Sequence, residues 1–467
     1  MSKGRFRKGP SGPSLRAGMA RASGLGMATL LAATGMPGVA SAAERQPAEI
    51  LLLTDVHFDP FADPLIANGL NNAASNEWSG ILGRREGTIR FPDCGEEEPV
   101  TDAALFQSAM DQMDQRQVAF TVLSGDLLIH EFQCRFTTLF PEADDAAYRE
   151  FAARTVEFVL SEVRRATHGR PVYLAPGNHD SGCGNYRRDD ADPFLQRIAP
   201  AVADAAGGAE QQAIARSFAA HGRYEVTAPG SLGQLSLLVA DTSLWSRRAM
   251  TCGGEARASD EEQLGWVGER ADVLGEDGAV WLIGHIPPGF DPRGSALSGS
   301  PVRYLQDDEL PLMLAQAEHP VRLALFGHTH MDEWRVFGDV PVRISPALSP
   351  GSGNRPSFTI AQISVDGGMN DYSVISYNSA AGSWDQDHGF SQSFGRTGFN
   401  AENLDLINNN INNEFGEDFL KYNKNYSTGG APSMPDWTSW VSNFRCAFSS
   451  LEEREFAQCV KQGVEGK

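Results

Sequence analysis

The stretch Leu174-Ala175-Pro176-Gly177-Asn178-His179-Asp180 indicates the fold of this chain more directly than any other. It continues an apolar run that begins at Val172, which predicts a short buried strand ending at the Pro-Gly pair. Three polar side chains that can take part in chemistry follow at once. A strand that ends in a glycine turn can aim such side chains at a site, although the motif alone is weak because Asn, His and Asp are common in loops.

Four further apolar runs end in a motif of the same kind. Each run predicts a strand, and the motifs that follow are Asp55-x-His57, Gly125-Asp126, Gly284-His285 and Gly327-His328-x-His330. Segments with helical spacing lie between the strands, so the sequence predicts an α/β fold with a largely buried sheet. Ligands bind at the carboxyl ends of strands in open α/β sheets. We therefore expect the five motifs to meet at one edge.

Three parts are expected along the chain. Residues 1–42 combine a basic start, a short apolar run and the ending Ala40-Ser41-Ala42, which is typical of a secretory signal peptide; a disordered basic tail is the alternative. Residues 43–378 hold the motifs and form the expected catalytic domain. Residues 379–467 are Asn-rich and then helical, which predicts a separate C-terminal helical cap. Within the catalytic domain, residues 58–100 are rich in Asn, Gly, Pro and acid and are expected to form a long loop.

Composition limits the partners and the location. The formal net charge of -21 argues against a nucleic acid polymer as partner, since such binding rests on clustered Lys and Arg. It does not exclude a small phosphorylated substrate, because bound metal ions can supply positive charge locally. No later stretch has about eighteen continuous apolar residues, so no transmembrane segment is expected. Together with the signal peptide, this predicts a secreted or periplasmic protein.

The remaining cysteines and histidines give two smaller predictions. The six cysteines include no Cys-x-x-Cys pair, which argues against a thiolate zinc site. Up to three disulfides are expected in an exported chain, with free buried thiols as the alternative. Of the fifteen possible pairings, we expect Cys446 with Cys459, because they are close in sequence and isolated at the end. The four histidines outside the motifs, which include His388, are expected at the surface or at helix caps.

The side chains of the five motifs suit a metal site. His, Asp and Asn are ligands for Zn, Fe or Mn. Residues two apart in an extended chain point to the same side, so Asp-x-His and His-x-His each place two ligands together. The motifs hold more ligands than one divalent ion takes, which favours two ions that share a carboxylate. Two such ions can bridge a water, lower its pKa and bind a phosphoryl oxygen.

These five motifs, in this order over roughly residues 48 to 350, resemble the blocks of the calcineurin-like metallophosphoesterase superfamily. The resemblance implies a four-layer α/β/β/α sandwich. It also implies a ligand set, which is Asp55, His57, Asp126 and His330 for the first ion and Asp126, Asn178, His285 and His328 for the second. By the same resemblance, His179 protonates the leaving oxygen, Asp180 orients His179, and a hydroxide that bridges the ions attacks the phosphorus.

Within that superfamily the chain is similar to the acid sphingomyelinase-like phosphodiesterases. Residues 54–60 match their opening block, and residues 284–289 match their His-Ile-Pro-Pro block. His130 keeps their histidine four residues after the shared aspartate, where it lies near the phosphate as a substrate contact or a support for the ligands. The first motif begins about a dozen residues after the expected cleavage site, so we expect no saposin-like lipid-extracting domain ahead of it.

The sequence therefore predicts a phosphoesterase that uses two divalent ions, with Zn expected first and Fe or Mn as alternatives. The expected partner is a small phosphorylated substrate, namely a phosphodiester, a nucleotide with a phosphoanhydride bond or a phospholipid headgroup. A phosphomonoesterase or nucleotidase on the same site is the first alternative. A non-catalytic metal-binding protein is the second, and the complete ligand set with His179 argues against it.

Overall fold

The computed structural model describes residues 47–83, 89–95, 99–276, 278–316, 320–411, 416–430 and 437–465. The predicted signal peptide, residues 1–42, lies outside them. The strands of the described part are β1 (Ala48–Leu53), β2 (Thr121–Leu123), β3 (Val172–Leu174), β4 (Tyr224–Thr227), β5 (Leu235–Val239), β6 (Ala279–Ile283), β7 (Val321–Phe326), β8 (Glu333–Phe337), β9 (Val340–Ile344), β10 (Ser357–Ile363), β11 (Met369–Asn378) and β12 (Ser383–Gly389).

The helices alternate with these strands in the first three quarters of the chain and then follow one another. They are α1 (Pro64–Asn72), α2 (Trp78–Leu82), α3 (Ala103–Met113), α4 (Phe132–Leu139), α5 (Asp145–Ala166), α6 (Pro193–Ala206), α7 (Gln211–His221), α8 (Glu261–Gly275), α9 (Pro292–Ser298), α10 (Glu309–Leu314), α11 (Phe390–Phe394), α12 (Ala401–Ile411), α13 (Glu417–Tyr426), α14 (Trp437–Ala447) and α15 (Glu453–Glu465).

The strands form two mixed sheets. The first has the order β12-β11-β10-β1-β2-β3, and the second has the order β4-β5-β6-β7-β9-β8. Strands β1, β2 and β3 run parallel, as do β5, β6, β7 and β9, whereas β4, β8, β10, β11 and β12 join by antiparallel pairing. Five of these parallel strands, β1, β2, β3, β6 and β7, lead into the five motifs, so their carboxyl ends set where the motif side chains lie.

Side chains on β6 show how the layers stack. Trp281 and Ile283 pack in the core between the sheets, and the Trp281 ring lies 6.3 Å from that of Phe120 in the first sheet. Val280 and Leu282 point the other way and pack with α8 and α10. This period of two is the pattern of a strand that is buried on both faces. With α3, α5 and α6 on the first sheet, the result is the predicted four-layer α/β/β/α sandwich.

The C-terminal helices pack at the β8 end of the second sheet, but position 379 does not separate them from the sheets. Strand β12 lies beyond that position and pairs with β11 as the edge of the first sheet. Further along, Asp332 N donates a hydrogen bond to Tyr426 O at 2.9 Å, and the Trp334 ring lies 4.8 Å from that of Tyr422. Polar residues dominate β12, so its sequence does not carry the apolar signal of a strand.

The prediction of a long loop over residues 58–100 is wrong for its first half. Helices α1 and α2 occupy it, with Asp63 capping α1 and Pro64 at the first helical position. Trp78 opens α2, is fully buried, and packs against Phe151 and Phe158 of α5. The helices are too short to give a clear period, and tertiary packing rather than local propensity stabilises them.

Three disulfides join the six cysteines: Cys94–Cys134, Cys183–Cys252 and Cys446–Cys459. The last of these confirms the predicted pair. The first two link segments that are 40 and 69 residues apart in the chain. In the described part, no helix has the length and apolar character needed to cross a membrane.

Candidate metal centre

The five motifs meet at one edge of the two sheets, as the parallel strands require. Two hydrogen bonds show how closely the sheets approach there. His285 of the second sheet donates from Nδ1 to the Ser124 carbonyl of the first at 2.5 Å. The backbone N–H of His328 donates to Asp55 Oδ2 at 2.9 Å. Side chains from both sheets therefore share one small volume.

The turns that carry the ligands have an unusual backbone. The left-handed region, with φ between 43° and 74°, is occupied by Asp55, His57, Asp126, His328 and His330. Such a conformation costs about 1–3 kcal/mol for a residue with a side chain, and it persists where surrounding structure enforces it. Here the N–H groups of Asp55 and His57 donate to the Gly125 and Asp126 carbonyls, each at 2.9 Å. This strain is typical of a functional site.

Glycines allow the turns to approach each other. A Cβ on Gly177 would overlap the side chain and the backbone N of Asp126, and a Cβ on Gly327 would overlap Thr54 Oγ1. Close contact between the turns that carry the motif side chains therefore explains Gly177 and Gly327. Sequence alone could not show this contact.

Asp55 and Asp126 each have one oxygen held by the protein and one directed at the histidines. Asp55 Oδ2 accepts from Thr54 Oγ1 at 2.6 Å and from His328 N at 2.9 Å. Its buried Oδ1 accepts no hydrogen bond from the described residues and faces His330 Nε2 at 3.3 Å. Asp126 Oδ1 accepts from His179 N at 2.8 Å, and Oδ2 lies 3.0 Å from His285 Nε2. The outer oxygens, Asp55 Oδ2 and Asp126 Oδ1, are thus fixed by hydrogen bonds. The inner oxygens, Asp55 Oδ1 and Asp126 Oδ2, are available to a cation.

The imidazoles are oriented in the same way. His57 Nδ1 lies 3.0 Å from the Leu128 carbonyl and His285 Nδ1 lies 2.5 Å from that of Ser124, so each Nδ1 carries the hydrogen. In the neutral rings, Nε2 then presents a lone pair to the centre. His57 Nε2 lies 3.1 Å from His330 Nε2, and His285 Nε2 lies 3.1 Å from Asn178 Oδ1. Electron-rich atoms that face each other across a buried space fit a bound cation.

The described residues form three groups of possible ligand atoms, and the atoms within each group lie within 4.8 Å of one another. The groups are Asp55, His57 and Asp126; Asp126, His285 and His328; and His57, His130 and His330. Asp126 belongs to two of them, and its Oδ2 lies 3.8 Å from His57 Nε2 as well as 3.0 Å from His285 Nε2. The donors are nitrogen and oxygen atoms only, which suits a divalent ion of the Zn, Fe or Mn type. The residues present therefore fit divalent metal ions, with Asp126 between the two sides of the centre.

Burial and mutual charge shift the pKa values across the centre. Burial lowers the pKa of His57 to about 4 and that of His328 to about 3. Burial opposes the charge of Asp126, but His285 and His179 outweigh it and hold the pKa of that carboxyl well below its usual range. At neutral pH the aspartate is ionised and these two imidazoles are neutral, which are the protonation states that metal binding requires.

His285 differs from the other imidazoles. Burial alone would lower its pKa, but the neighbouring Asp126 carboxylate raises it to about 10. A metal ion at His285 Nε2 would therefore compete with the proton that the Asp126 carboxylate favours there. Metal uptake at this position should release protons into the solution.

The hydrogen bonds of Asp180 support a role other than the one that the resemblance implied. Its Oδ1 accepts the backbone N–H groups of Leu127 and Leu128 at 2.8 and 3.2 Å, and its Oδ2 accepts that of Gly177 at 2.9 Å. These bonds tie the Gly125-Asp126 turn to the Gly177-Asn178 turn. All three of these hydrogen bonds come from backbone donors of the two turns that carry Asp126 and Asn178, so we infer that Asp180 positions these turns.

His179 and His130 lie beside the centre on the His57 side. The ring of His179 is 4.6 Å from that of His130 and 5.2 Å from that of His57. His130 is closer still to His57, at 4.0 Å, and lies parallel to His330 at 5.8 Å. Both His130 and His179 are partly exposed, so they form the accessible edge of this side of the centre.

Sequence reasoning missed several side chains that support or flank the ligands. Ser352 Oγ lies 3.2 Å from His330 Nδ1. The rings of Tyr186 and Tyr304 flank His328, with centroid distances of 6.3 and 5.7 Å. None of the three belongs to a motif. Their residue types are common in loops, and only the fold brings them to the site.

Known proteins are similar to this chain in sequence or in fold. A Dictyostelium discoideum protein named sphingomyelinase phosphodiesterase C is 29% identical over 103 residues, which are 19% of this chain and 22% of that protein. The fold resembles GAP50 of Plasmodium, at 13% identity over 73% of this chain and 88% of that chain with a TM-score of 0.34. It also resembles a phosphopantetheinyl hydrolase of Mycobacterium tuberculosis, at 12% identity over 65% and 91% of the two chains with a TM-score of 0.25.

The match in sequence thus spans about a fifth of the length of the Dictyostelium relative. A family match covers far more of the chain. The calcineurin-like phosphoesterase family matches residues 48–332, which are more than half of the 467 residues and contain all five motifs. On this ground the chain belongs to the calcineurin-like phosphoesterase family.

Proposed function

We propose that this chain is an exported phosphoester hydrolase with two divalent metal ions, and that its substrate is a phosphodiester or a phosphoanhydride. One observation carries the proposal. The inner oxygen of Asp126 lies between two groups of ligand atoms, with the partly exposed His179 and His130 at the edge of the same centre. A shared carboxylate between two sets of nitrogen and oxygen ligands is typical of a two-metal site.

The ion next to β1 would be held by Asp55, His57, Asp126 and His330, and the other by Asp126, Asn178, His285 and His328. Zn is the first metal to test, followed by Fe and Mn. When bound, the ions would neutralise phosphoryl oxygens and lower the pKa of a coordinated water. The protein's contribution is the fixed direction of each ligand, which the hydrogen bonds of Asp55 Oδ2, Asp126 Oδ1, His57 Nδ1 and His285 Nδ1 provide.

His179 is the proposed proton donor to the leaving oxygen. Its backbone N–H is bonded to Asp126 Oδ1, so its position follows that of the shared ligand. Burial, together with His130, lowers the pKa of His179, whereas the charge of Asp126 raises it. An anionic phosphoryl group in the centre would add negative charge beside the ring and favour its protonated form. His130, whose ring lies 4.6 Å from that of His179, is the proposed contact to a phosphoryl oxygen.

The diester preference rests on supporting evidence outside the metal centre. The Dictyostelium relative carries a sphingomyelinase phosphodiesterase name, and the match to it is short. Export is supported by the composition of residues 1–42 and by the three disulfides, which persist in oxidising compartments.

A hydrolysis panel on purified, metal-analysed protein tests the proposal. It compares a bis-aryl phosphodiester, an aryl phosphomonoester, nucleoside triphosphates and sphingomyelin under one set of conditions. We expect diester or triphosphate turnover to exceed monoester turnover. Monoester turnover far above both would contradict the proposal and favour a phosphomonoesterase, and a protein that binds metal but hydrolyses none of the four would favour the non-catalytic alternative.

A further inference from the structure

The side of the metal centre at His328 has a lining of its own. His328 is partly exposed, and the rings of Tyr186 and Tyr304 stand almost perpendicular to it, at 87° and 83°. Arg248 lies over the ring of Tyr186, with its guanidinium carbon 4.3 Å from the ring centroid. Its Nη1 is also 3.5 Å from the Tyr186 hydroxyl oxygen. A continuous path of contacts therefore leads from the metal ligand His328 to a guanidinium group.

Among the described residues, the guanidinium of Arg248 contacts the ring of Tyr186 but no carboxylate. Arg248 and its neighbour Arg247 are exposed, and neither has a carboxylate within ion-pair distance among the described residues. By contrast, Arg188 and Arg257 of the same region pair with Asp241 and Asp190 at 2.7 and 2.8 Å. In a chain whose net charge is -21, an exposed arginine without a carboxylate partner among the described residues can bind an anion near the metal centre.

The loop that carries Arg248 is held in place. The Cys183–Cys252 disulfide joins it to the loop that follows Asn178 and His179. Two backbone hydrogen bonds of 2.9 Å reinforce the link, from Met250 N to Tyr186 O and from Arg188 N to Met250 O. Ala249, next to Arg248, is buried. The guanidinium is thus presented on a fixed backbone and against a fixed ring, which reduces the entropy lost when it binds a ligand.

Tyr186 also links the arginine loop to the metal centre through its backbone. Its N–H donates a hydrogen bond to the Asn178 carbonyl at 2.9 Å, and its own carbonyl accepts one from Met250 N at 2.9 Å. A group that is bound at the metal centre and extends past Tyr186 would therefore come under the positive charge of Arg248.

We propose that Arg248, held over Tyr186, binds a second anionic group of the substrate next to the phosphoryl group that the metal centre binds. The inference rests on the proposed function and narrows its substrate class to molecules with two adjacent anionic groups, such as phosphoanhydrides. A guanidinium binds phosphate oxygens through paired N–H donors and repels a quaternary ammonium group. Arg248 therefore disfavours a phosphocholine headgroup.

Inhibition of bis-aryl phosphodiester hydrolysis by three small anions tests this assignment. The probes are inorganic orthophosphate, inorganic pyrophosphate and phosphocholine, and metal content is measured after each incubation so that chelation is recognised. We expect pyrophosphate to inhibit at about tenfold lower concentration than orthophosphate, the effect of one additional charge-assisted contact at an exposed site. Phosphocholine should inhibit less well than orthophosphate.

Variants then locate the effect. Arg248→Ala should reduce the pyrophosphate preference to about twofold or less, and Arg248→Glu should reverse it and improve inhibition by phosphocholine. Tyr186→Phe should keep the preference because the ring remains, whereas Tyr186→Leu should lose it. The matched control is Arg216→Ala, an exposed arginine on α7, which should leave all three inhibition constants unchanged.

Two results would overturn the assignment. The first is an unchanged pyrophosphate preference in Arg248→Ala and in the double variant Arg247→Ala/Arg248→Ala. The second is a wild-type protein that binds pyrophosphate no more tightly than orthophosphate. If the wild-type protein hydrolyses no diester, the proposed function fails separately, and calorimetric titration of the metal-loaded protein with the same anions still decides the role of Arg248.

Discussion

Replacement of Asp180 by alanine separates two roles for this carboxylate. In the structure it accepts the backbone N–H groups of Leu127, Leu128 and Gly177 and is almost completely buried. Removing it leaves three buried donors without an acceptor, at about 1–3 kcal/mol each. We expect a loss of about 3–6 kcal/mol, which is less than the simple maximum because the two turns can relax.

The expected loss can be expressed as a change in Tm. For about 400 described residues, an unfolding entropy of about 2.1 cal/mol/K per residue makes 1 kcal/mol equal to about 1.2 °C. The Tm of Asp180→Ala, measured by calorimetry, should therefore fall by about 4–7 °C. Metal content should fall as well, because the two turns carry Asp126 and Asn178. Asp180→Asn keeps one acceptor oxygen, so its Tm and metal content should lie between those of the wild type and Asp180→Ala.

The control is Asp190→Ala, an aspartate of the neighbouring loop whose side chain is 93% exposed. It should change stability by no more than about 0.5 kcal/mol. If Asp180 instead orients the ring of His179, its alanine variant will keep the wild-type Tm and metal content and lose turnover. That result would refute the positioning role derived from the three backbone hydrogen bonds.

Two further predictions concern a proton donor and a buried histidine. His179→Ala should keep its metal but lose about 10²–10⁴-fold in turnover on substrates with poor leaving groups, with a much smaller loss on nitrophenyl esters; an equal loss on both would remove His179 from proton transfer. His388 has Asp332 2.6 Å from Nε2 and Asp387 2.7 Å from Nδ1; burial opposes its charge but these carboxylates raise its pKa above 6.5. Its stabilising contribution is therefore complete below about pH 6.5 and is lost as the pH rises through the folded pKa, so the Tm difference between wild type and His388→Gln should shrink as the pH rises above about 6.5. A constant difference would contradict the ion-pair assignment.

The parts of the fold that could be predicted from sequence are those with local signals. Strand β3 and β7 have the bounds that their apolar runs indicate, and each is followed by glycine and histidine, so the site at the strand ends could be inferred. The shared edge follows from parallel pairing, which the alternation of strands and helices indicates. The Cys446–Cys459 pair near the end of the chain could also be predicted from sequence, because its members are only 13 positions apart.

What the sequence could not provide depends on contacts between distant segments. Fifteen pairings of six cysteines cannot be distinguished without the fold, so the Cys183–Cys252 link that holds the Arg248 loop could not be inferred. Asp180 follows His179 directly, which suggests an interaction between the two side chains. Its hydrogen bonds instead go to a turn more than 50 residues away.

His388 illustrates the same limit. The expectation that it lies at the surface or at a helix cap is wrong, because it is buried and pairs with Asp332, two residues after His330. Strand β12, on which it lies, has polar residues on both faces and gives no period that would mark it as part of a sheet. Burial of this histidine becomes favourable only through the carboxylates that the fold brings to it.

Metal stoichiometry at full activity tests the central claim most directly. The protein is stripped of metal, titrated with Zn, Mn or Fe in separate series, and assayed for diester hydrolysis while bound metal is counted by elemental analysis. We predict that activity reaches its maximum only at two ions per chain, and that Asp126→Asn, which alters the carboxylate common to both ligand groups, reaches neither that occupancy nor that activity. Full activity with one bound ion, or with none, would contradict the two-metal centre.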